Sequence, residues 1–304
     1  MPVHPAEKSD AVSVPQADIV GRHRDAPALH FAPAGELQLA VWEWPGEGPA
    51  LLFAHATGFH GRCWDRIVRR FPGRRALALE FRGHGRSGIP APPIPWSAFA
   101  EDILAVARHF DLRDAVGIGH SMGGHSLVSA TISRPASFSA LVLVDPVIMP
   151  RAEYGAPGPD ASFIARRRNR FASSEEMLER FRGRLPFSTW QLEALRDYCD
   201  YALRPDGDSF VLACPPAVEA SIYGLCNAPG NDLYDAMPGV LQPATILRAG
   251  SVATSAMFDL NKSPTAPDLA GCFPHGRDVF LPEHNHYIPM EAPELVEAEI
   301  ARFC

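Results

Sequence analysis

The chain has 304 residues, of which 46% are hydrophobic and 21% charged, a composition typical of a globular protein that buries a large core. Its formal net charge of −7 argues against a nucleic-acid-binding groove, which would show as a surplus of basic residues. Because the six cysteines form no Cys-x-x-Cys pair and no apolar run approaches the roughly 20 residues that span a bilayer, we expect reduced thiols, a cytoplasmic location and no membrane span.

The chain opens with a segment for which no element is predicted and continues with a hairpin. Residues 1–26 are polar and proline-containing without a clear period, so we expect a loose N-terminal arm, and they lack the apolar core of a signal peptide. Residues 29–32 and 37–44 predict two strands joined by a Pro-Ala-Gly-Glu turn. This antiparallel hairpin would cover one edge of a sheet.

Two further strands and a helix follow the hairpin. Residues 50–54 are apolar throughout, as in a central strand covered on both faces by helices, and residues 75–80 predict another buried strand. The glycine-rich segment 81–88 predicts a loop. Apolar residues at helical spacing predict a helix over 96–110.

The stretch 115–124 joins a short apolar strand to a helix through a single serine. The sequence Gly-His-Ser-Met-Gly at 119–123 matches Gly-x-Ser-x-Gly, in which the serine lies at a strained strand-to-helix turn with an exposed hydroxyl. Glycines two residues before and after the serine allow a close backbone approach that a Cβ would block. The first turn of the helix points N–H groups at the serine oxygen. We therefore predict that Ser121 is a catalytic nucleophile.

The second half of the chain contains an interruption of this alternating pattern. Residues 140–144 form another apolar run, and strands alternating with helices predict a parallel sheet with short crossovers. From 147 to 242 helical, arginine-rich segments take over, which is far longer than a normal connection and predicts an inserted helical cap. The strands resume at 243–249 and 278–281, and residues 293–303 predict a closing helix.

Four motifs make the chain similar to the α/β-hydrolase superfamily over nearly its whole length. They are Gly-His-Ser-Met-Gly at 119–123, His-Ala-Thr at 55–57, Phe-Arg-Gly-His-Gly-Arg-Ser at 81–87 and His-Tyr-Ile-Pro-Met-Glu-Ala-Pro at 286–293. The resemblance implies an α/β fold, with a mostly parallel sheet flanked by helices and an inserted helical cap. The corresponding divisions are an arm over 1–26, a hydrolase core over 27–146 and 243–304, and a cap over 147–242.

The resemblance also implies a histidine base. In the superfamily the histidine that opens a His-x-x-x-x-Glu-x-Pro pattern is the general base, and here that residue is His286. The neighbouring His284 offers a second imidazole, and only one of the two can face the serine. A zinc site built on both histidines is an alternative, although no third ligand is evident.

Two aspartates compete for the role of the acid that orients the base. Relatives usually carry the acid after the strand at 243–249 as Gly-x-x-Asp, but Gly250 is followed by Ser-Val-Ala-Thr and the first acid is Asp259. A minority of the superfamily carries it at the end of the preceding strand, where this chain has Asp145. We favour Asp145 and keep Asp259 as the alternative. For both residues, a structural role as a turn-capping aspartate is also possible.

The resemblance maps two backbone amides to an oxyanion hole. They belong to Met122, which follows the nucleophile, and to Thr57 in the loop after the strand at 50–54. Ala56 and Gly58 replace the usual glycine and proline of that loop. It stays open whether Thr57 or a later residue donates.

Other side chains have both a functional and a structural interpretation. The candidate pocket walls, which could equally be core residues, are Phe59, Trp64, Trp96, Met149, Tyr223 and Tyr287. The cap arginines that could bind an anionic substrate or form a solvated helix face are Arg166, Arg167, Arg168 and Arg170. The loop histidines interpreted as structural are His55, His84 and His120.

Together these residues predict a serine hydrolase that cleaves a small carboxylic ester through an acyl-enzyme intermediate, with no metal or organic cofactor. Lactone, amide or C–C bond hydrolysis on the same three residues is an alternative, because one fold serves many acyl substrates. A non-catalytic ligand receptor with the same fold is a second alternative. The sequence predicts no oligomeric state.

Overall fold

The computed structural model describes residues 26–250 and 262–304, so the predicted arm and the alternative acid Asp259 lie outside the described residues. Its strands are β1 Ala28–Ala34, β2 Leu37–Trp44, β3 Glu47–Ala54, β4 Arg74–Leu79, β5 Ala115–His120, β6 Phe138–Val144, β7 Arg170–Phe171, β8 Leu203–Asp206, β9 Ser209–Leu212, β10 Ala244–Ala249 and β11 Gly276–Leu281. Its α-helices are α1 Asp65–Val68, α2 Ser97–His109, α3 Met122–Ser133, α4 Ser162–Ala165, α5 Ser174–Phe181, α6 Leu192–Tyr201, α7 Pro216–Gly224, α8 Ile288–Glu291 and α9 Pro293–Ile300.

The predicted parallel sheet is confirmed. Eight strands pair in the order β1-β2-β4-β3-β5-β6-β10-β11, with β2 antiparallel to both of its neighbours and every other pair parallel. The hairpin of β1 and β2 lies at one edge, as the sequence predicts. Gly35 adopts φ +64° in its turn, a conformation that glycine reaches without a Cβ penalty.

Helices cover both faces of the sheet, because alternate side chains of each central strand point to opposite sides. On one face Leu52 packs in a core that includes Phe99 of α2 and Leu127 of α3. On the other face Phe53 packs in a core that includes Val296 of α9. The continuous apolar runs of the central strands are a consequence of this double coverage.

The segment 147–242 contains α4 to α7, as the prediction of helices requires, and also a small antiparallel sheet in the order β7-β9-β8 that the sequence did not indicate. Its strands have two to four residues, too few for a period of two to be visible. Gly207, at φ +60°, turns the chain between β8 and β9. In the part of the chain that the structure describes, no helix has the length and apolar character needed to cross a bilayer.

Candidate active site

Ser121 lies at the turn between β5 and α3, with φ +58° and ψ −121°. Its backbone N–H donates to Val144 of the neighbouring strand at 3.0 Å. A Cβ placed on Gly119 would lie 2.7 Å from the carbonyl carbon of Gly123, and one on Gly123 would collide with the backbone of Ala54. Both glycines are therefore required for the close packing that forces the serine into this strained conformation.

Three buried polar groups form a hydrogen-bonded series at this turn. Ser121 Oγ lies 2.9 Å from His286 Nε2, and His286 Nδ1 lies 2.7 Å from Asp145 Oδ2. Their exposed fractions are 4% for Ser121, 8% for His286 and 0% for Asp145. Since a carboxylate accepts at Nδ1, that nitrogen carries the proton and the Nε2 lone pair faces the serine hydroxyl.

The other oxygen of Asp145 is also fully engaged. Oδ1 accepts from the Ala249 N–H at 2.9 Å, from Ser263 Oγ at 2.6 Å and from Thr265 Oγ1 at 3.1 Å. These donors compensate the desolvation of a completely buried carboxylate and fix its plane. The predicted hydrogen bond between Asp145 and His286 is present. None of the carboxylate contacts named here joins Asp145 to a residue of its own loop.

The second histidine of this segment points elsewhere. His284 Nδ1 lies 3.5 Å from a carboxylate oxygen of Glu291. The same carboxylate accepts from the backbone and the side chain of Asn285. Glu291, the glutamate of the terminal motif, therefore shapes the turn that presents His286 to the serine. Within residues 26–250 and 262–304, no group of three metal-ligating side chains is found.

The backbone amides of the loop after β3 differ in whether they are hydrogen-bonded. The Gly58 N–H donates to His84 Nε2 at 3.0 Å, and the Phe59 N–H donates to the Ala56 carbonyl at 3.1 Å. Among the described hydrogen bonds none uses the amide of Thr57 or of Met122, and the Thr57 hydroxyl lies 3.4 Å from Met122 Sδ. Thr57 and Met122 are thus adjacent, and their donors are uncommitted.

Two loop histidines have the structural contacts expected of them. His55 Nδ1 donates to the Ala56 carbonyl at 2.8 Å while its Nε2 accepts from the Phe81 N–H. His84 Nδ1 donates to the Arg82 carbonyl while its Nε2 accepts from Gly58. Burial lowers the pKa of His84 to about 4, so the neutral ring that these contacts need is the form present near neutral pH.

His120 has a positioning contact that the sequence did not reveal. Its Nε2 lies 2.8 Å from the backbone carbonyl of His286 and donates to it. The two imidazole rings are 5.0 Å apart between centroids. Burial lowers the pKa of His120 to about 3, so the ring is neutral and its tautomer is fixed by this carbonyl. The side chain next to Ser121 therefore holds the backbone of the residue whose ring faces the Ser121 hydroxyl.

The six candidate pocket walls differ in location, and Trp64 packs against Phe53 in the core that also contains Val296. Phe59 and Tyr287 stack at 6.0 Å, and the Tyr287 ring lies 5.5 Å from the ring of His286. Burial raises the pKa of the Tyr223 phenol, and the neighbouring Tyr287 raises it further. Trp96 donates its indole N–H to a backbone carbonyl of α7, and Met149 contacts two tyrosine hydroxyls through its backbone. The assignment of the other five as substrate contacts stays a prediction.

The candidate arginines of the segment 147–242 have different ion-pair partners. Arg168 pairs with Glu176, and Arg170 pairs with Asp206. Arg167 instead turns inward and pairs with Glu219 of α7. Because the two partners are 52 residues apart, sequence spacing held no signal for this pair.

A model of the alpha/beta hydrolase family matches residues 51–299. The chain belongs to this family. Among its relatives, 2-(acetamidomethylene)succinate hydrolase from Mesorhizobium japonicum is 26% identical over 272 residues, which cover 88% of this chain and 92% of that protein. Lipase LipV from Mycobacterium tuberculosis is 34% identical over 116 residues, covering 37% of this chain and 43% of the lipase.

Solved structures of other alpha/beta hydrolases have the same fold. The crystal structure of E-2-(acetamidomethylene)succinate hydrolase superposes with a TM-score of 0.73 at 24% identity, covering 91% of this chain and 98% of that one. The enol-lactonase from Burkholderia xenovorans superposes with a TM-score of 0.65 at 18% identity, covering 90% of this chain and 99% of the lactonase. The chain is therefore a hydrolase-fold protein whose substrate class these relatives leave undetermined.

Proposed function

We propose that this protein is a serine hydrolase that cleaves a carboxylic ester through an acyl-enzyme intermediate, with Ser121 as nucleophile, His286 as general base and Asp145 as orienting acid. The observation that carries the proposal is the buried series in which His286 Nε2 lies 2.9 Å from Ser121 Oγ and Nδ1 lies 2.7 Å from Asp145. Both distances fall within the range over which a base takes a proton.

The proposed reaction follows from these contacts. His286 removes the Ser121 proton as the oxygen attacks the carbonyl carbon, and Asp145 stabilises the imidazolium that forms. The free amides of Thr57 and Met122 donate to the developing oxyanion, each worth about 3 kcal/mol in comparable sites. His286 then protonates the leaving alkoxide, and a water activated by the same imidazole releases the acid and regenerates the serine.

The acyl group that reaches the serine is the open part of the proposal. Two relatives are named for other acyl substrates, a compound that contains an acetamido group and an enol-lactone. We therefore retain amide or lactone hydrolysis on the same residues as a second candidate. Rates on a matched ester, anilide and lactone with one acyl chain would rank the three.

We further propose that the segment 147–242 forms a cap over the nucleophile and selects the acyl group. Its helix α7 brings Glu219 against Gly58, where a Cβ would lie 2.9 Å from the Glu219 carboxylate. The same segment contributes Trp190 and Tyr198 to the aromatic cluster around Phe59. The six free thiols support a small-molecule hydrolase of a reducing, cytoplasmic compartment.

The proposal is tested by steady-state and burst kinetics on 4-nitrophenyl acetate and butyrate. Ser121→Ala should lose several orders of magnitude in kcat/KM, whereas Ser133→Ala, which changes an exposed serine on the same helix, should retain wild-type rates. A folded wild-type protein with neither burst nor turnover on esters, anilides and lactones would instead support the receptor alternative.

A further inference from the structure

A cavity of about 360 Å³ lies in the segment 147–242, on the side of the cap sheet and α5. Its volume is within the range of roughly 300–1,000 Å³ that small-molecule sites occupy. Four arginines line it and no carboxylate does; they are Arg167, Arg168, Arg180 and Arg184. Such a concentration of positive charge is unexpected on a chain whose net charge is −7.

An apolar wall faces these arginines. Phe181 and Phe187 are both half-buried and stack with their ring centroids 4.3 Å apart and their planes 12° apart. Phe171 meets Phe181 edge to face at 6.1 Å. Leu185, one of the most exposed large apolar side chains among the described residues, also lines the cavity. The cavity thus offers aromatic surface beside cationic donors.

The charges of the cavity are only partly compensated. Arg167 is paired with Glu219 and Arg168 with Glu176. In residues 26–250 and 262–304, the side chains of Arg180 and Arg184 have no ion pair or hydrogen bond. The group of four lining arginines and their two glutamate partners therefore has an excess of two positive charges.

One buried donor among the lining residues also has no partner. The Arg167 Nε–H is buried and has no hydrogen-bond partner among the described residues. A buried donor without a partner costs about 1–3 kcal/mol, so an acceptor that reached it would remove an existing penalty. Beside it, Tyr198 lines the same cavity and its hydroxyl lies 3.4 Å from the Gly58 carbonyl. Through Tyr198, the lining of the cavity therefore contacts the loop that contains Thr57 and Gly58.

We propose that this cavity binds an organic oxyanion, a carboxylate or a phosphate on an apolar body, with the oxyanion at Arg180 and Arg184 and the apolar body on Phe181 and Phe187. Guanidinium groups suit this role because their N–H donors match the oxygens of both headgroups. The site is distinct from the nucleophile, so its occupancy does not depend on Ser121 or on the proposed hydrolase activity.

The proposal is tested by isothermal titration calorimetry with octanoate, octyl phosphate and neutral 1-octanol. Wild type and Ser121→Ala should bind both anions alike, and the double variant Arg180→Gln/Arg184→Gln should bind them at least about tenfold more weakly. Arg182→Gln is the matched control, since Arg182 is exposed, pairs with Glu179 and does not line the cavity. The ratio of the two anion affinities identifies the preferred headgroup.

Several results would overturn the assignment. They are no saturable binding of either anion to wild type, equal binding of 1-octanol, and unchanged anion affinity in the double variant. Loss of binding after phosphonylation of the nucleophile, with no effect of Arg180→Gln/Arg184→Gln, would show that the anions occupy the catalytic site instead. Circular dichroism of each variant excludes unfolding as the cause of a lost signal.

Discussion

Replacing Asp145 by Asn should be among the most damaging isosteric changes to the activity. The carboxylate accepts a hydrogen bond from His286 Nδ1 at 2.7 Å through Oδ2, while Oδ1 accepts from Ala249, Ser263 and Thr265. In the variant, the amide oxygen can keep the three Oδ1 bonds, which places the NH₂ group against the histidine. Nδ1 must then accept, the proton moves to Nε2, and the base has no lone pair for the serine.

The expected loss of activity in Asp145→Asn follows from this change of tautomer. The equivalent substitution in serine proteases lowers kcat by about 10⁴. A factor of 10⁴ corresponds to about 5.4 kcal/mol of lost transition-state stabilisation. We expect a loss of this order for Asp145→Asn because the histidine geometry is kept and only its protonation pattern changes.

The assay is kcat/KM on 4-nitrophenyl acetate, with thermal unfolding measured on the same samples. Asp102→Asn is the control, since Asp102 is also completely buried but pairs with Arg82, away from the three residues of the site. Asp259→Asn tests the alternative acid. Retention of more than a tenth of the activity by folded Asp145→Asn, or a larger loss in Asp259→Asn, would refute the assignment.

Three further predictions concern residues around the site. His120→Phe should lower kcat by up to about a hundredfold with little change in KM, because the His286 carbonyl loses its hydrogen-bond donor. His120→Gln should restore part of the rate. A change in KM with kcat unaltered would contradict a positioning role. Burial lowers the pKa of His120 to about 3 and that of His125 to about 4, below the unfolded value near 6.5, so each should remove about 1.4 kcal/mol of stability per pH unit as pH falls from 6.5 towards 4. Asp197, whose pKa is raised to about 6, acts in the opposite sense and stabilises the fold as the pH falls. Urea titrations at pH 7.5 and 5.5 should therefore show a smaller change in the free energy of unfolding for His125→Gln than for wild type. An equal change in both proteins would refute this account. Tyr223→Ala should change the ratio of octanoate to acetate ester hydrolysis more than the acetate rate itself, and an unchanged ratio would argue against selection by the cap.

The sequence predicts those parts of the fold that have a recognisable pattern within a few neighbouring residues. The hairpin has a turn with glycine at positive φ, and the central strands are continuous apolar runs because helices cover both faces. The turn at Ser121 is recognisable because the close backbone approach there requires both glycines of a five-residue motif. The small sheet β7-β9-β8 has no such signal, since its strands are too short to display a period.

The contacts that the sequence could not predict join distant segments. His120 reaches the carbonyl of a residue 166 positions later, and Arg167 pairs with Glu219 across 52 positions. Neither contact has a local pattern, because each depends on how the tertiary fold brings two distant segments together. For the acid, by contrast, the sequence favours Asp145, and its Oδ2 lies 2.7 Å from His286 Nδ1. The alternative, Asp259, lies outside the described residues.

The central claim is that Ser121 is the nucleophile of an acyl-transfer reaction, and covalent labelling tests it most directly. A serine-directed fluorophosphonate should add once to the wild-type protein, and peptide mass spectrometry should locate the adduct on Ser121, where His286 Nε2 lies 2.9 Å from the hydroxyl oxygen. Asp145→Asn should label far more slowly, and Ser121→Ala should remain unlabelled. An adduct on another residue, or equal labelling of Ser121→Ala, would contradict the account.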